Sequence, residues 1–230
     1  MRSQRLAIGN IPAILWGAPS ARAYIHVHGQ KSNKALAEDF ARIAERKGFQ
    51  TLSFDLPEHG ERAGKAERCD IFTGMRDLAE IGDYAFAKWE DVALYACSIG
   101  AYFSLNAYAA RTFSKCLFQS PILDMEYLIK QMFLWFNVTE ERLLTEKEID
   151  TPVDLLTWDY YQYVKAHPIG RWDAPTSILY GGRDNLQPLS VVETFAKRFG
   201  CALTVAKESE HAFMGEGDGA IVHAWLTENI

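Results

Sequence analysis

The sequence predicts an α/β domain with a mostly parallel central sheet and helices on both faces. Short β-branched or aromatic runs alternate with longer amphipathic stretches, which is the sequence form of that architecture. The chain has 230 residues, a length that one such domain fills while burying a core without disulfides or a metal to hold it. Its composition, 48% hydrophobic and 23% charged, is that of an ordinary globular protein and carries none of the biases of disordered, collagenous or coiled-coil chains.

The elements follow in chain order. Residues before Gly17 are expected to form an antiparallel opening pair. The clearest strands are Ala23 to His28, Thr51 to Asp55, Val92 to Cys97, Cys116 to Gln119 and Ser177 to Tyr180, with a weaker one over Leu203 to Ala206. Between them, Asn33 to Lys47 carries Leu36, Phe40, Ile43 and Ala44 at helical spacing, and Gly48 is a natural stop. Further helices are expected over Met75 to Trp89, Ile99 to about Ala110, Ser190 to Arg198 and about Gly219 to Leu226. No internal repeat is evident. From Asp124 to Trp172 the alternation stops, and this stretch reads as a helical insertion without a convincing strand. Its apolar residues concentrate in Met132-Phe133-Leu134-Trp135-Phe136 and in Trp158, Tyr160, Tyr161 and Tyr163.

Charge and cysteine usage narrow the function classes. A net charge of -6 without a basic cluster argues against nucleic acid, whose phosphates require grouped Lys and Arg. No apolar run approaches the roughly 20 residues needed to cross a bilayer, and the basic start Met1 to Arg5 lacks the apolar segment of a secretory signal. Cys69, Cys97, Cys116 and Cys201 are dispersed, with no C-x-x-C pair, which fits a reducing cytoplasm. A soluble cytoplasmic protein is the expectation.

The chemistry is concentrated in three places. Ala96-Cys97-Ser98-Ile99-Gly100 sets a serine between small residues at a strand-to-helix junction, the pattern of a sharp turn that strains the serine backbone and exposes its hydroxyl. The helix that follows also turns its positive end toward this point. Acyl transfer needs a base for the serine and a carboxylate to hold that base in the correct tautomer. Gly181-Gly182-Arg183-Asp184 follows one strand and ends in a carboxylate, and Glu208-Ser209-Glu210-His211 follows the next and ends in an imidazole.

These motifs resemble those of the α/β-hydrolase superfamily, in which the order Ser, Asp, His is characteristic. His28-Gly29-Gln30 looks like its oxyanion loop, and Asp55-Leu56-Pro57-Glu58-His59-Gly60-Glu61-Arg62 looks like a conserved turn of that group. The resemblance spans nearly the whole chain. It implies Ser98 as nucleophile, His211 as base, Asp184 as orienting acid, and the backbone N–H groups of Gln30 and Ile99 as oxyanion donors. It further implies that residues of about 124–172 cap the site after the sixth strand, with Phe133, Trp135, Phe136, Trp158 and Tyr161 as pocket residues. The reaction implied is hydrolysis of a small, apolar or aromatic carboxylic ester through an acyl-enzyme, a carboxylesterase-like activity of class EC 3.1.1 that requires no cofactor or metal.

Alternatives stand beside each assignment. Asp124, after the strand ending near Pro121, is a rival acid. His26 and His28 lie on one side of a strand, where two imidazoles can share a metal, although further ligands are not evident. Cys97 should point away from Ser98 into packing. A thioesterase or acyltransferase would use the same triad, and a non-catalytic member would keep the pocket for a small ligand.

Overall fold

The computed structural model describes all 230 residues, Met1–Ile230. An antiparallel pair, β1 (Ser3–Ile8) and β2 (Ile11–Trp16), leads into β3 (Arg22–Val27), α1 (Glu38–Arg46), β4 (Gln50–Phe54), α2 (Ile71–Lys88), β5 (Asp91–Cys97), α3 (Ile99–Ala107) and β6 (Cys116–Gln119). The interposed segment then holds α4 (Met125–Trp135), α5 (Glu140–Glu146), a short hairpin of β7 (Glu148–Asp150) and β8 (Leu155–Thr157), and α6 (Trp158–Ala166). The chain closes with β9 (Thr176–Gly181), α7 (Leu189–Phe199), β10 (Ala202–Ala206) and α8 (Asp218–Asn229).

Eight strands form one sheet in the order β1-β2-β4-β3-β5-β6-β9-β10. Only the β1/β2 and β2/β4 pairs are antiparallel, and the rest run parallel. Side-chain alternation along the central strands divides the interior into two layers. On β3, Ala23, Ile25 and Val27 join a large cluster with Leu78 and Ile81 of α2, Ala101 of α3 and Val192 of α7. Tyr24 faces the other way, among Phe40 and Ile43 of α1 and Trp225 and Leu226 of α8. Helices therefore cover both faces, as the alternation of elements predicts.

Most element ends differ from the sequence reading by a residue or two, and a few differences are larger or have a visible local cause. The first helical stretch opens as a 3-10 turn over Lys34–Ala37, with the Asn33 side chain accepting from Ala35 N–H at 2.9 Å. That change of period leaves Leu36 exposed while Phe40, Ile43 and Ala44 remain buried. The second helix begins at Ile71, four residues early, because Asp70 and Thr73 form a reciprocal cap: Asp70 Oδ1 accepts from Thr73 N–H at 2.9 Å and Thr73 Oγ1 from Asp70 N–H at 3.3 Å. The third stops at Ala107 and not Ala110. The interposed segment is not wholly helical, since β7 and β8 pair through Ile149 opposite Leu156. Strands of three residues are too short to show a period in sequence.

The Asp70 cap gives a stability test. Asp70→Ala should lower the free energy of unfolding by about 1 kcal/mol, read as a shift in the urea midpoint at unchanged slope.

Candidate active site

Ser98 stands between β5 and α3 with φ 50° and ψ −121°, a backbone region that L-residues adopt at an energetic cost and that tightly packed surroundings must enforce. Those surroundings are visible. A Cβ on Gly100 would fall 2.5 Å from the His28 carbonyl oxygen, so only glycine allows α3 to start this close to the end of β3. A Cβ on Gly29 would lie 3.1 Å from Ser98 Cβ. Ala96, by contrast, is fully buried between Val27 and Phe118 on the neighbouring strands, and its methyl group is accommodated. The turn therefore closes with alanine at that position.

Ser98 Oγ lies 2.8 Å from His211 Nε2, and His211 Nδ1 lies 2.6 Å from Asp184 Oδ2. The three residues named from chain order thus form one hydrogen-bonded line. The other carboxylate oxygen, Asp184 Oδ1, accepts from the N–H groups of Leu186 at 2.8 Å and Gln187 at 3.1 Å, which fixes the plane of the group. The rival Asp124 is engaged elsewhere: it caps α4, its Oδ1 accepting from Tyr127 N–H at 2.8 Å.

The loops bearing Asp184 and His211 meet through glycine. A Cβ on Gly181 would sit 2.6 Å from the Ser209 carbonyl oxygen, and one on Gly182 would sit 2.6 Å from that of Lys207. Arg183 N–H donates to the Ser209 carbonyl at 2.9 Å, and Ser120 Oγ to that of His211 at 2.7 Å. Gln187, fully buried, then joins the Asp184 loop to the root of the interposed segment. Its Oε1 accepts from the N–H groups of Leu123 at 3.0 Å and Asp124 at 2.8 Å, while Nε2 donates to the Asp124 carbonyl at 3.0 Å.

Two buried histidines hold the loop before Ser98. His28 Nε2 accepts from Leu56 N–H at 3.0 Å and Nδ1 faces the Gly29 carbonyl at 2.7 Å; His59 Nε2 accepts from Lys31 N–H at 3.0 Å and Nδ1 faces the Pro57 carbonyl at 2.7 Å. In each ring one nitrogen accepts and the other donates, which is the pattern of a neutral imidazole. Burial pushes His28 down to about 4. The Nε2 lone pair of His28 is committed to Leu56, so it is not available for a metal shared with His26.

Beside them, Asp55 is fully buried and paired with Lys34, and Lys34 also reaches Glu61 Oε1 at 2.8 Å. Burial works to raise the Asp55 carboxyl, but the Lys34 side chain and the N–H groups of Lys34 and Glu61 outweigh it and hold the group below the usual carboxylate range. Gly60, at φ 53°, lies against that carboxyl: a Cβ there would be 2.2 Å from Asp55 Oδ1. The turn from Asp55 to Arg62 is therefore a folded support for the Gln30 loop.

A cleft of about 710 Å³, counted to its open mouth, contains Ser98 and the residues Gln30 and Ile99. As the first residue of α3, Ile99 has an N–H without an intrahelical acceptor. The opposite wall comes from the interposed segment: Met125, Leu128, Ile129, Met132 and Trp135 of α4, the β7–β8 turn, and Tyr160 of α6. Of the five pocket residues expected from sequence, only Trp135 lines this cleft. Phe133 and Tyr161 are core residues whose rings meet at 5.1 Å, Trp158 packs against Tyr161 at 6.2 Å, and Phe136 is half-buried against the same core. The wall residues of α4 recur at three- and four-residue intervals, and Phe133, about 100° round the helix from Met132, falls just past the edge of that stripe, on the side of Ile129 that meets the core. The stripe was present in the sequence, and aromaticity was the wrong guide to it.

Burial of neutral histidines has a measurable consequence. His26 stacks on Tyr95 at 4.7 Å, and burial lowers it to about 3. Below its ordinary value near 6.5 the unfolded chain binds a proton that the folded chain refuses, so stability falls as pH drops from about 6.5 toward 3. His26→Phe should remove up to one proton from the slope of unfolding free energy against pH between 6 and 4, measured by denaturant titration. An unchanged slope would show that His26 does not contribute.

Comparisons with known proteins bear on the fold. No protein-family model matches the sequence, and no curated protein does. Among solved structures, Est1E from Butyrivibrio proteoclasticus, in a complex with ferulic acid, superposes with TM-score 0.78 at 19% identity over 98% of this chain and 96% of that one. Alpha/beta hydrolase domain-containing protein 10 from mouse gives TM-score 0.78 at 14% identity, covering 99% and 98% of the two chains. A monoacylglycerol lipase from Paleococcus ferrophilus gives 0.67 at 17% identity, covering 96% and 99%. With its sheet order and crossover helices, the chain has the α/β-hydrolase fold. No helix is long and apolar enough to cross a membrane.

Proposed function

We propose that this chain is a serine hydrolase that cleaves a carboxylic ester of a small to medium, apolar or aromatic substrate. The observation that carries the reading is the line Ser98 Oγ to His211 Nε2 to Asp184 Oδ2, at 2.8 and 2.6 Å, opening into an apolar cleft. In the proposed reaction His211 takes the Ser98 proton as Oγ attacks the ester carbonyl. The N–H groups of Gln30 and Ile99 receive the developing oxyanion, and His211 then protonates the departing alcohol. Water, deprotonated by His211, attacks the acyl-enzyme and returns Ser98. Asp184 keeps Nδ1 protonated so that Nε2 is the basic nitrogen.

Each donor of an oxyanion hole contributes about 10²–10³-fold to rate, and the strained Ser98 backbone is the feature that faces Oγ and Ile99 N–H to the same cleft. Residues of about 124–172 act in this reading as a cap that supplies the apolar wall. Ferulic acid in Est1E and the lipase activity named for the Paleococcus protein support aromatic or aliphatic acyl groups as the range to survey. Thioesters and acyl transfer use the same steps.

Turnover of a p-nitrophenyl ester series, without added metal, tests the proposal. Wild type should hydrolyse the series and react stoichiometrically with an organophosphonate at Ser98, and Ser98→Ala should do neither. Equal activity in the two proteins would overturn the assignment. Asp184→Asn should lower kcat by about 10³–10⁴-fold, whereas Asp124→Asn, which still caps α4, should retain kcat within about threefold; the reverse result would make Asp124 the acid.

A further inference from the structure

A second cavity, of about 1020 Å³ counted to its open mouth, lies between α7, the start of α4 and the end of α6. Only Met125 is common to it and the Ser98 cleft. Its inner surface is apolar: Leu123, Met125, Val164 and Phe195 line it and are buried. Tyr102 of α3 lines it as well, and this residue is 2% exposed. The Tyr102 O–H finds no acceptor in the chain, and the amide of Asn106, the polar side chain beside it, donates to the Tyr102 carbonyl at 2.8 Å. Unlike the hydroxyls of Tyr24 and Tyr160, that of Tyr102 is not sealed off. Because Tyr102 lines this cavity and not the Ser98 cleft, its hydroxyl is offered to a molecule held here.

The remainder of the lining carries charges of both signs, with Asp124 and Glu126 at the start of α4 and Arg198 on α7. Glu126 is paired with Lys130 at 2.6 Å, and Arg198 donates to the Ile169 and Gly170 carbonyls at 3.4 and 3.2 Å. A charged ligand meets a group of its own sign whichever its charge, and an uncharged one does not. A phenol buried without an acceptor is costly, and in native proteins such groups usually find a partner. An alcohol supplies one, since its oxygen accepts while its body covers the apolar floor.

We propose that this cavity is a binding site, separate from the Ser98 cleft, for a small uncharged alcohol. The hydrocarbon body packs on Leu123, Val164 and Phe195, and the hydroxyl accepts from Tyr102. The site does not depend on the hydrolase reading, because neither Ser98 nor His211 lines it. It selects by difference: a ligand with the oxygen satisfies Tyr102, and one without it leaves the phenol against hydrocarbon.

The test is a titration of isotope-labelled protein with 2-phenylethanol and with ethylbenzene, its counterpart without the hydroxyl, followed by backbone amide shifts. Millimolar 2-phenylethanol should move the amides of Ser190, Val191 and Thr194, which line the second cavity and not the cleft. Read from those amides, ethylbenzene should bind about tenfold more weakly, and Tyr102→Phe should bring the two probes within about twofold of one another. Val191→Trp, which fills the cavity, should abolish the α7 shifts and stands in for Tyr102→Phe if that variant does not fold. Shifts confined to Leu128, Ile129 and Met132, which line only the cleft, would overturn the site. Equal affinity of the two probes, a preference that survives Tyr102→Phe, or α7 shifts that survive Val191→Trp would do the same, and the Tyr102 hydroxyl would then be served by water alone.

Discussion

The closeness of two backbones governs the centre of this molecule. α3 begins where its second residue, Gly100, passes so near the His28 carbonyl that a single added carbon would lie 2.5 Å from oxygen. That approach keeps Ser98 at φ 50° and brings the 28–31 loop against the serine. Sheet order makes it possible, because β3 and β5 are parallel neighbours and pair Val27 with Ala96. Ends of adjacent parallel strands lie side by side, so the loops that leave them converge. Everything assembled at Ser98 inherits its position from this crossing.

Support for that convergence is electrostatic and hydrogen-bonded as much as apolar. Two neutral imidazoles, His28 and His59, each join a backbone N–H in one loop to a carbonyl nearby. Asp55 collects the Lys34 ammonium and two N–H groups in a fully buried position. Buried polar groups of this kind are tolerated when every member is paired, and a paired network has few alternative arrangements. The Tyr160 hydroxyl differs, being buried without a hydrogen-bond partner.

Strand positions and the Ser98, Asp184 and His211 set were legible because they depend on local signals: short apolar runs, a serine among small residues, and loops that end in a carboxylate or an imidazole. Geometry then brought together what chain order had named. The segment from 124 to 172 was less legible. Its three-residue strands fall below any recognisable period, and its helices present two apolar faces, one toward the core and one toward the cleft. Phe133 and Met132 are adjacent in sequence and both buried, yet only Met132 lines the cleft. Choosing between them requires the rotation of α4, which is set by Phe133 packing on Tyr161 and by the Asp124 cap. The start of α2 was less legible too, since the reciprocal Asp70 and Thr73 cap sets it at Ile71 while the apolar pattern pointed to Met75.

Gln187 gives the architecture a property of a different kind. One amide side chain bridges the loop of Asp184 and the first residues of the interposed segment, with Leu123 and Asp124 both donating to it. The two regions are therefore not interchangeable parts. A chimera that replaced residues 124–172 with a foreign segment would inherit a glutamine shaped for a backbone it no longer meets, and the disturbance would reach the carboxylate one hydrogen bond away. Diversification of the wall and fidelity of the carboxylate are linked through a single position, so variants of this segment would have to accumulate around that amide.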